Sequence, residues 1–182
     1  MKYRDELIQI IIKDPFIMET LIVVKNLNLH DCWIGAGFIR NKVWDILHEI
    51  KTTKLNDIDV VFFDENNISE NLEKEIEQKL ADINPMVKWS VKNQARMHLR
   101  NNHLKYSHTE NAISFWPETA TAIAVRLNSD YEIEILAPHG LNDLFNLIVK
   151  PTPNFNLAIF QERLNEKQWK KQWINLNIKH TA

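Results

Sequence analysis

Glycine is scarce in this chain, with three residues in 182, and two of those three fall within one tripeptide, Gly35-Ala36-Gly37. Cysteine is scarcer: Cys32 stands alone, which rules out an intrachain disulfide. No apolar run approaches the ~20 residues that a membrane span requires. The opening Met1-Lys2-Tyr3-Arg4-Asp5-Glu6 has no secretory hydrophobic region, so a soluble, cytoplasmic protein with no membrane partner is expected. A basic excess is missing too. The formal net charge of −2 argues against a dominant polyanion-binding surface, and no extended duplex nucleic acid is expected as a partner. Divided in two, the chain would give pieces near the lower end of the ~50–200 residues typical of domains, so one domain over residues 1–182 is expected. Its core should span about residues 15–150, with a terminal helix over about 156–176.

The uneven use of glycine marks a turn. Before the tripeptide, Cys32-Trp33-Ile34 reads as a short apolar strand; after it, Phe38, Val43, Trp44 and Leu47 fall at near-helical spacing. A strand-to-helix turn points unpaired N–H groups outward and favours an anion, and glycine there allows positive φ and close approach. A strand follows over residues 58–63, and its period of two puts Asp57 and Asp59 on one face, opposite Ile58 and Val60. Two adjacent carboxylates repel, and holding both ionised usually needs a divalent cation.

Elsewhere the periodicities alternate between helix and strand. Leu7, Ile8, Ile11 and Ile12 recur at helical spacing, and Asp14-Pro15 reads as a cap and first position of a second helix ending near Lys25. Residues 68–83 carry Leu72, Ile76 and Leu80 on one stripe of a solvated helix, closed by Pro85. Residues 87–92 alternate as a half-buried strand, and 93–100 suit a helix on which Arg96 and His98 either reach a phosphate or sit on an ordinary charged surface. The polar stretch 101–111 lacks periodicity and reads as a mobile loop; His103 and His108 in it lack the further ligands of a zinc site. Residues 121–127 and 131–136 form two strands joined at Asn128-Ser129-Asp130, and in the second Glu132 and Glu134 share one face. From the pattern alone that face is simply wet. On the long helix of 156–176, Arg163 and Lys167 lie four apart on one face, and Trp169 and Trp173 read as anchors against the body.

The segment 34–63 resembles the nucleotidyltransferase superfamily typified by DNA polymerase β, whose pattern is a Gly-rich turn opening a helix and then Asp-x-Asp on the next strand. With Phe38-Ile39-Arg40-Asn41 after the glycines, the turn looks most like that of CCA-adding enzymes and poly(A) polymerases. More narrowly, the chain resembles a bacterial family of small nucleotidyltransferase-like proteins of uncertain substrate, a likeness that residues 89–98, 116–127 and 137–145 extend over most of its length. It departs from the pattern at two places. The superfamily usually has Gly-Gly or Gly-Ser at the turn, and the CCA-adding pattern has Arg-Asp where this chain has Arg40-Asn41.

That resemblance implies an α/β fold with a small mixed, mainly antiparallel sheet covered by helices, and helical extensions at both ends. It implies transfer of a nucleoside monophosphate from a nucleoside triphosphate to a hydroxyl acceptor, with Mg²⁺, or Mn²⁺ in its place, as cofactor. Asp57 and Asp59 would hold the metal, and Glu134 would complete it from a later strand beside Asp-x-Asp, with Glu132 as the substitute. Gly35, Ala36 and Gly37 would cradle the β- and γ-phosphates, with Arg40 and Lys167 adding charge-assisted bonds. The acceptor is open among a small molecule, a protein side chain and an RNA end. The rival reading is a non-catalytic nucleotide-binding or interaction module of the same fold, antitoxin-like in role.

Overall fold

The computed structural model describes residues 2–153 and 155–181. Its first helix, α1 (Arg4–Ile12), buries Leu7 and Ile11, one turn apart on its inner face. In α2 (Pro15–Lys25) the expected start is realised: Asp14 Oδ1 accepts from the Ile17 amide at 3.2 Å, and Pro15 takes the first helical position, where its missing N–H costs nothing. Then come β1 (Trp33–Gly35), α3 (Gly37–Leu47) and β2 (Ile58–Phe62). Beyond them lie α4 (Glu70–Ile83), capped by Ser69, then β3 (Trp89–Asn93) and α5 (Gln94–Asn101), capped by Asn93.

The second half runs through α6 (Thr109–Ile113), the antiparallel pair β4 (Ala124–Leu127) and β5 (Ile133–Leu136), α7 (Asn142–Phe145) and β6 (Ile148–Val149). It closes with α8 (Leu157–Lys167), a 3₁₀ turn (Trp169–Lys171) and β7 (Asn177–Ile178), which pairs parallel to β6. The five-stranded sheet has the order β3-β2-β1-β4-β5, with β2 and β3 parallel and every other pair antiparallel. This is the mixed, mainly antiparallel sheet that was expected.

Strand alternation sorts the sheet into two faces. Ile34, Val60, Val91 and Val125 point into the main core, where Leu21, Phe38, Trp44 and Leu80 from the helices cover them. The other face carries Trp33, Val61 and Ala124 under Ile113, with Trp116 and Leu136 beside them. That second cover stops short of Asp59, which stays half-buried. Among the described residues, no helix is long and apolar enough to cross a membrane.

Two sequence expectations change. The terminal helix does not run to 176: it stops at Lys167, and Gln168 takes a left-handed conformation at φ 48°. That conformation costs about 1–2 kcal/mol. It turns Trp169 and Trp173 edge-on to Trp44, with ring centroids 5.7 and 5.1 Å away. Burying one indole of roughly 150–250 Å² contributes about 4–6 kcal/mol, so packing wins over continuing the helix. The stretch 101–111 is likewise not free of structure, because α6 starts within it. Thr109 donates twice to Asp31, at 2.7 and 2.8 Å, and His103 Nδ1 meets the Tyr106 hydroxyl at 2.5 Å.

Candidate active site

Gly35 sits opposite Asp59 in the β1–β2 register, and this pairing brings the turn and the two aspartates together. A Cβ at Gly35 would lie 2.6 Å from Trp116 Cη2 and 3.1 Å from the Ile123 carbonyl oxygen, so that glycine is required for close packing rather than for its φ. The positive φ falls on Ala36 instead, at φ 53°, ψ −123°, a region suited to glycine. There the chain departs from the superfamily pattern at a strain of order 1–3 kcal/mol. Ala36→Gly is therefore expected to stabilise the fold by about 1 kcal/mol, read from the urea midpoint at unchanged slope. No gain would mean that the turn relaxes around alanine. At Gly37 a Cβ would meet nothing closer than Arg40 Nη2 at 3.5 Å, so the fold itself does not demand glycine there.

The first helical bond of α3 runs from the Arg40 amide to the Ala36 carbonyl at 3.1 Å, which leaves the amides of Gly37, Phe38 and Ile39 without an acceptor inside the helix. Ala36 and Gly37 open into a polar cleft of about 190 Å³ that Arg40, Asn41, Asp57, Asp59, Arg163 and Lys167 also line. The segment 53–56 forms its lip, and Trp169, Gln172 and Trp173 form the far wall. So the turn, the paired aspartates, Arg40 and Lys167, which lie far apart in sequence, meet in one cleft.

Arg40 is only 7% exposed. Its Nε and Nη2 donate to Asn41 Oδ1 at 3.2 and 2.8 Å, and its guanidinium lies 4.6 and 4.9 Å from the ring centres of Trp169 and Trp44. Burial pulls its pKa from 12.5 down to about 10; Glu118 opposes that shift, Arg163 adds to it and Asp59 opposes it. It stays charged at neutral pH. Arg40 thus lines the cleft as a buried cation with two of its donors, Nε and Nη2, spent on Asn41.

Asp59 has its carboxyl raised above the usual 3.8 by burial first and by Asp57 second. The Ser90 hydroxyl, Arg40 and Lys167 pull the other way without cancelling the rise. Neither aspartate has an ion-pair partner among the described residues. Two hard oxygen donors held together at that electrostatic cost would suit a hard divalent cation such as magnesium.

Glu134 is not part of this arrangement. It stands on the edge strand β5, separated from β2 by β1 and β4, so three strand steps of about 4.8 Å put it roughly 14 Å from the aspartates. There it accepts from Arg126 Nε at 2.6 Å, while Arg126 stacks 4.0 Å from the Trp33 ring centre. Glu132 accepts from Asn128 at the hairpin. The sequence expectation placed β5 beside Asp-x-Asp, but β1 and β4 intervene. Among the described residues no group of three His, Cys, Asp or Glu is placed to hold a metal. Arg96 also lies elsewhere: it is held by Glu73 and Glu70 of α4 at 2.7–2.9 Å. His98 packs edge-on against Tyr106, 6.1 Å between ring centres.

Two important residues were not singled out in the sequence. Glu118 is fully buried, accepts from the Thr121 hydroxyl at 2.6 Å, and holds Arg163 Nε through its other oxygen. It is the buried counter-ion behind the cationic wall. A single carboxylate in the small and apolar run Trp116 to Ala122 was its only sequence signal. Asp45 was missed as well: it accepts from Thr53 and from Trp173 Nε1 at 2.9 Å, tying the lip and the far wall of the cleft to α3.

Comparison with known proteins follows the same lines. A family model for nucleotidyltransferases matches residues 22–178. An NMR structure that reveals a CCA-adding enzyme head domain is 34% identical, with a TM-score of 0.88, covering 100% of this chain and 98% of that one. A Thermotoga maritima CCA-adding enzyme complexed with tRNA is 15% identical at TM-score 0.61, and a CCA-adding enzyme complexed with CTP is 13% identical at 0.62. Each of these two matches covers 94% of this chain, which spans only 42% of their length, and their likeness is one of fold. No curated protein matches the sequence.

Proposed function

The chain belongs to the nucleotidyltransferase family that matches residues 22–178, and from that premise we propose that it transfers a nucleoside monophosphate from a nucleoside triphosphate to a hydroxyl acceptor, releasing pyrophosphate. The observation that carries the reading is the meeting of Asp57 and Asp59 with Arg163, Lys167 and the α3 N-terminus in one cleft. The free amides at the start of α3, with Arg163 and Lys167, bind and orient the β- and γ-phosphates. Arg40 adds a fixed positive field from behind the turn, already desolvated and held by Asn41, so little reorganisation is needed as charge builds on the leaving pyrophosphate. Asp57 and Asp59 would hold Mg²⁺, with Mn²⁺ as a substitute, and when bound it supplies charge neutralisation at the phosphates and a hydroxyl more easily ionised. Trp169 and Trp173 narrow the cleft on the far side and limit water.

One observation favours the second reading, a nucleotide-binding module without turnover: among the described residues no third carboxylate joins the aspartates in a group that could hold a metal. Pyrophosphate release decides between the two. The purified protein is supplied with Mg²⁺, each of the four ribonucleoside triphosphates in turn, and bacterial extract as a source of acceptors. Release with at least one nucleotide, lost in Asp57→Asn with Asp59→Asn and retained in Glu134→Gln, is the expected result. Nucleotide binding with no release from any of the four would leave the module.

A further inference from the structure

An apolar cavity of about 320 Å³ adjoins the polar cleft. The two spaces share Asn41, Thr53, Lys54, Leu55 and Asp57 and are otherwise lined by different residues. The cavity lies between the start of α2, the middle of α3 and the 84–88 connection, with walls of Phe16, Ile17, Phe38, Leu55, Met86 and Val87. The Phe16 and Phe38 rings meet at a tilt, 6.1 Å between centres. Phe16 remains 42% exposed and Met86 92%, so apolar surface is left for something to cover.

Most of the cavity's polar groups are already engaged within the protein. Lys42 pairs with Asp14 at 2.8 Å, and Asp45 accepts from Thr53 and Trp173. Three charges are different: Lys54 and Lys88, both exposed, and Asp57 at the junction with the cleft have no ion-pair partner among the described residues. An apolar slot with two uncommitted ammonium groups at its edge complements a ligand with a flat apolar body and a negative charge. Ligand pockets run from about 300 to 1,000 Å³, and this one, at the low end, suits one ring with short substituents. A polymer end carrying several phosphates would need a longer cationic track than two lysines supply.

Position adds a role. In-line displacement sets the attacking oxygen and the departing pyrophosphate on opposite sides of the α-phosphorus. Arg163 and Lys167, the cations suited to pyrophosphate, line only the polar cleft, whereas Asp57 lines both spaces. Resting on the transfer reading above, the geometry points to the cavity as the acceptor subsite, taking a small hydroxylated aromatic carboxylate. The acceptor's hydroxyl oxygen bonds to the α-phosphorus as the bridging α–β P–O bond breaks. Pyrophosphate leaves with that electron pair, and the hydroxyl proton passes to solvent.

The test titrates the ¹⁵N-labelled full chain with 4-hydroxyphenylacetate and, separately, with tyramine, which keeps the ring and hydroxyl but carries a positive charge. The carboxylate should shift the amide signals of residues 52–58 and 84–88 and bind roughly tenfold or more tightly than tyramine. Lys88→Glu, which lies outside the polar cleft, should erase that preference and leave affinity for MgATP unchanged. Equal binding of the two probes, or no shift at these residues from either, would overturn the inference. Contacts between the adenine protons of bound ATP and Phe16 or Phe38 would also overturn it, by making the cavity the subsite for the base. A protein that binds the carboxylate but not MgATP would remove the transfer reading itself and the acceptor role with it.

Discussion

Replacing Asp57 and Asp59 together with asparagine is expected to weaken Mg²⁺-dependent nucleotide binding by roughly a hundredfold or more, about 2.8 kcal/mol, and at the same time to make the nucleotide-free protein more stable. The first effect follows from removing both anionic oxygen donors from the cleft. The second follows from Asp59, whose carboxyl is held above 3.8 by burial and by Asp57. A carboxyl whose pKa is raised on folding is easier to bury protonated, so above its folded pKa ionised Asp59 opposes folding. Asparagine removes that cost. The gain should be full near pH 7, shrink as pH falls through the raised pKa of Asp59, and vanish below the ordinary value of 3.8. Calorimetric titration with MgATP and thermal melts at pH 7 and pH 3.5 measure both effects. Unchanged nucleotide affinity in a well-folded double variant would remove the aspartates from the site, and a lower melting temperature at pH 7 would mean that they serve the fold instead.

Glu118→Gln should be the most damaging single change behind the cleft. The glutamate is fully buried and answers Arg163 directly and Arg40 through its field. Removing one member of a buried ion pair costs about 3–5 kcal/mol, and about 3 is expected here because Arg163 is partly open to water. Glutamine preserves the shape and an oxygen for Thr121, so the loss reports charge rather than packing. The same loss leaves two arginines short of an anion. Inorganic tripolyphosphate should therefore bind the variant more tightly than wild type and raise its melting temperature by more at equal concentration. Wild-type stability in the variant would show that the cationic wall does not depend on Glu118. A destabilised variant that binds tripolyphosphate no better would confine Glu118 to the scaffold.

The alanine at the centre of the turn shows how far local rules reach. Two clustered glycines marked the turn correctly, yet neither supplies the positive φ; Ala36 does, while Gly35 is glycine because Trp116 lies across it. Trp116 is 81 positions further along the chain, so no local window could show that contact. Glu134 illustrates the same limit. The family resemblance made it a third metal ligand, but strand order is a global property, and β1 with β4 lies between it and Asp59.

The sequence by itself determined the features that depend on near neighbours: the α/β alternation, the Asp14-Pro15 helix start, the paired faces of Asp57 and Asp59, and the i, i+4 pairing of Arg163 with Lys167. Each follows from spacing along one element, where backbone geometry fixes which side chains share a face. Tertiary structure alone decided which of these faces meet. It drew Lys167 and Arg163 to the aspartates by breaking the last helix at Gln168 and burying Trp169 and Trp173 against Trp44. It also put Glu118 behind the arginines and Glu134 outside the site. The physical reason is that apolar burial between distant segments contributes several kcal/mol and leaving a buried charge unpaired costs about as much, whereas the local preferences they override are worth a few tenths to about two.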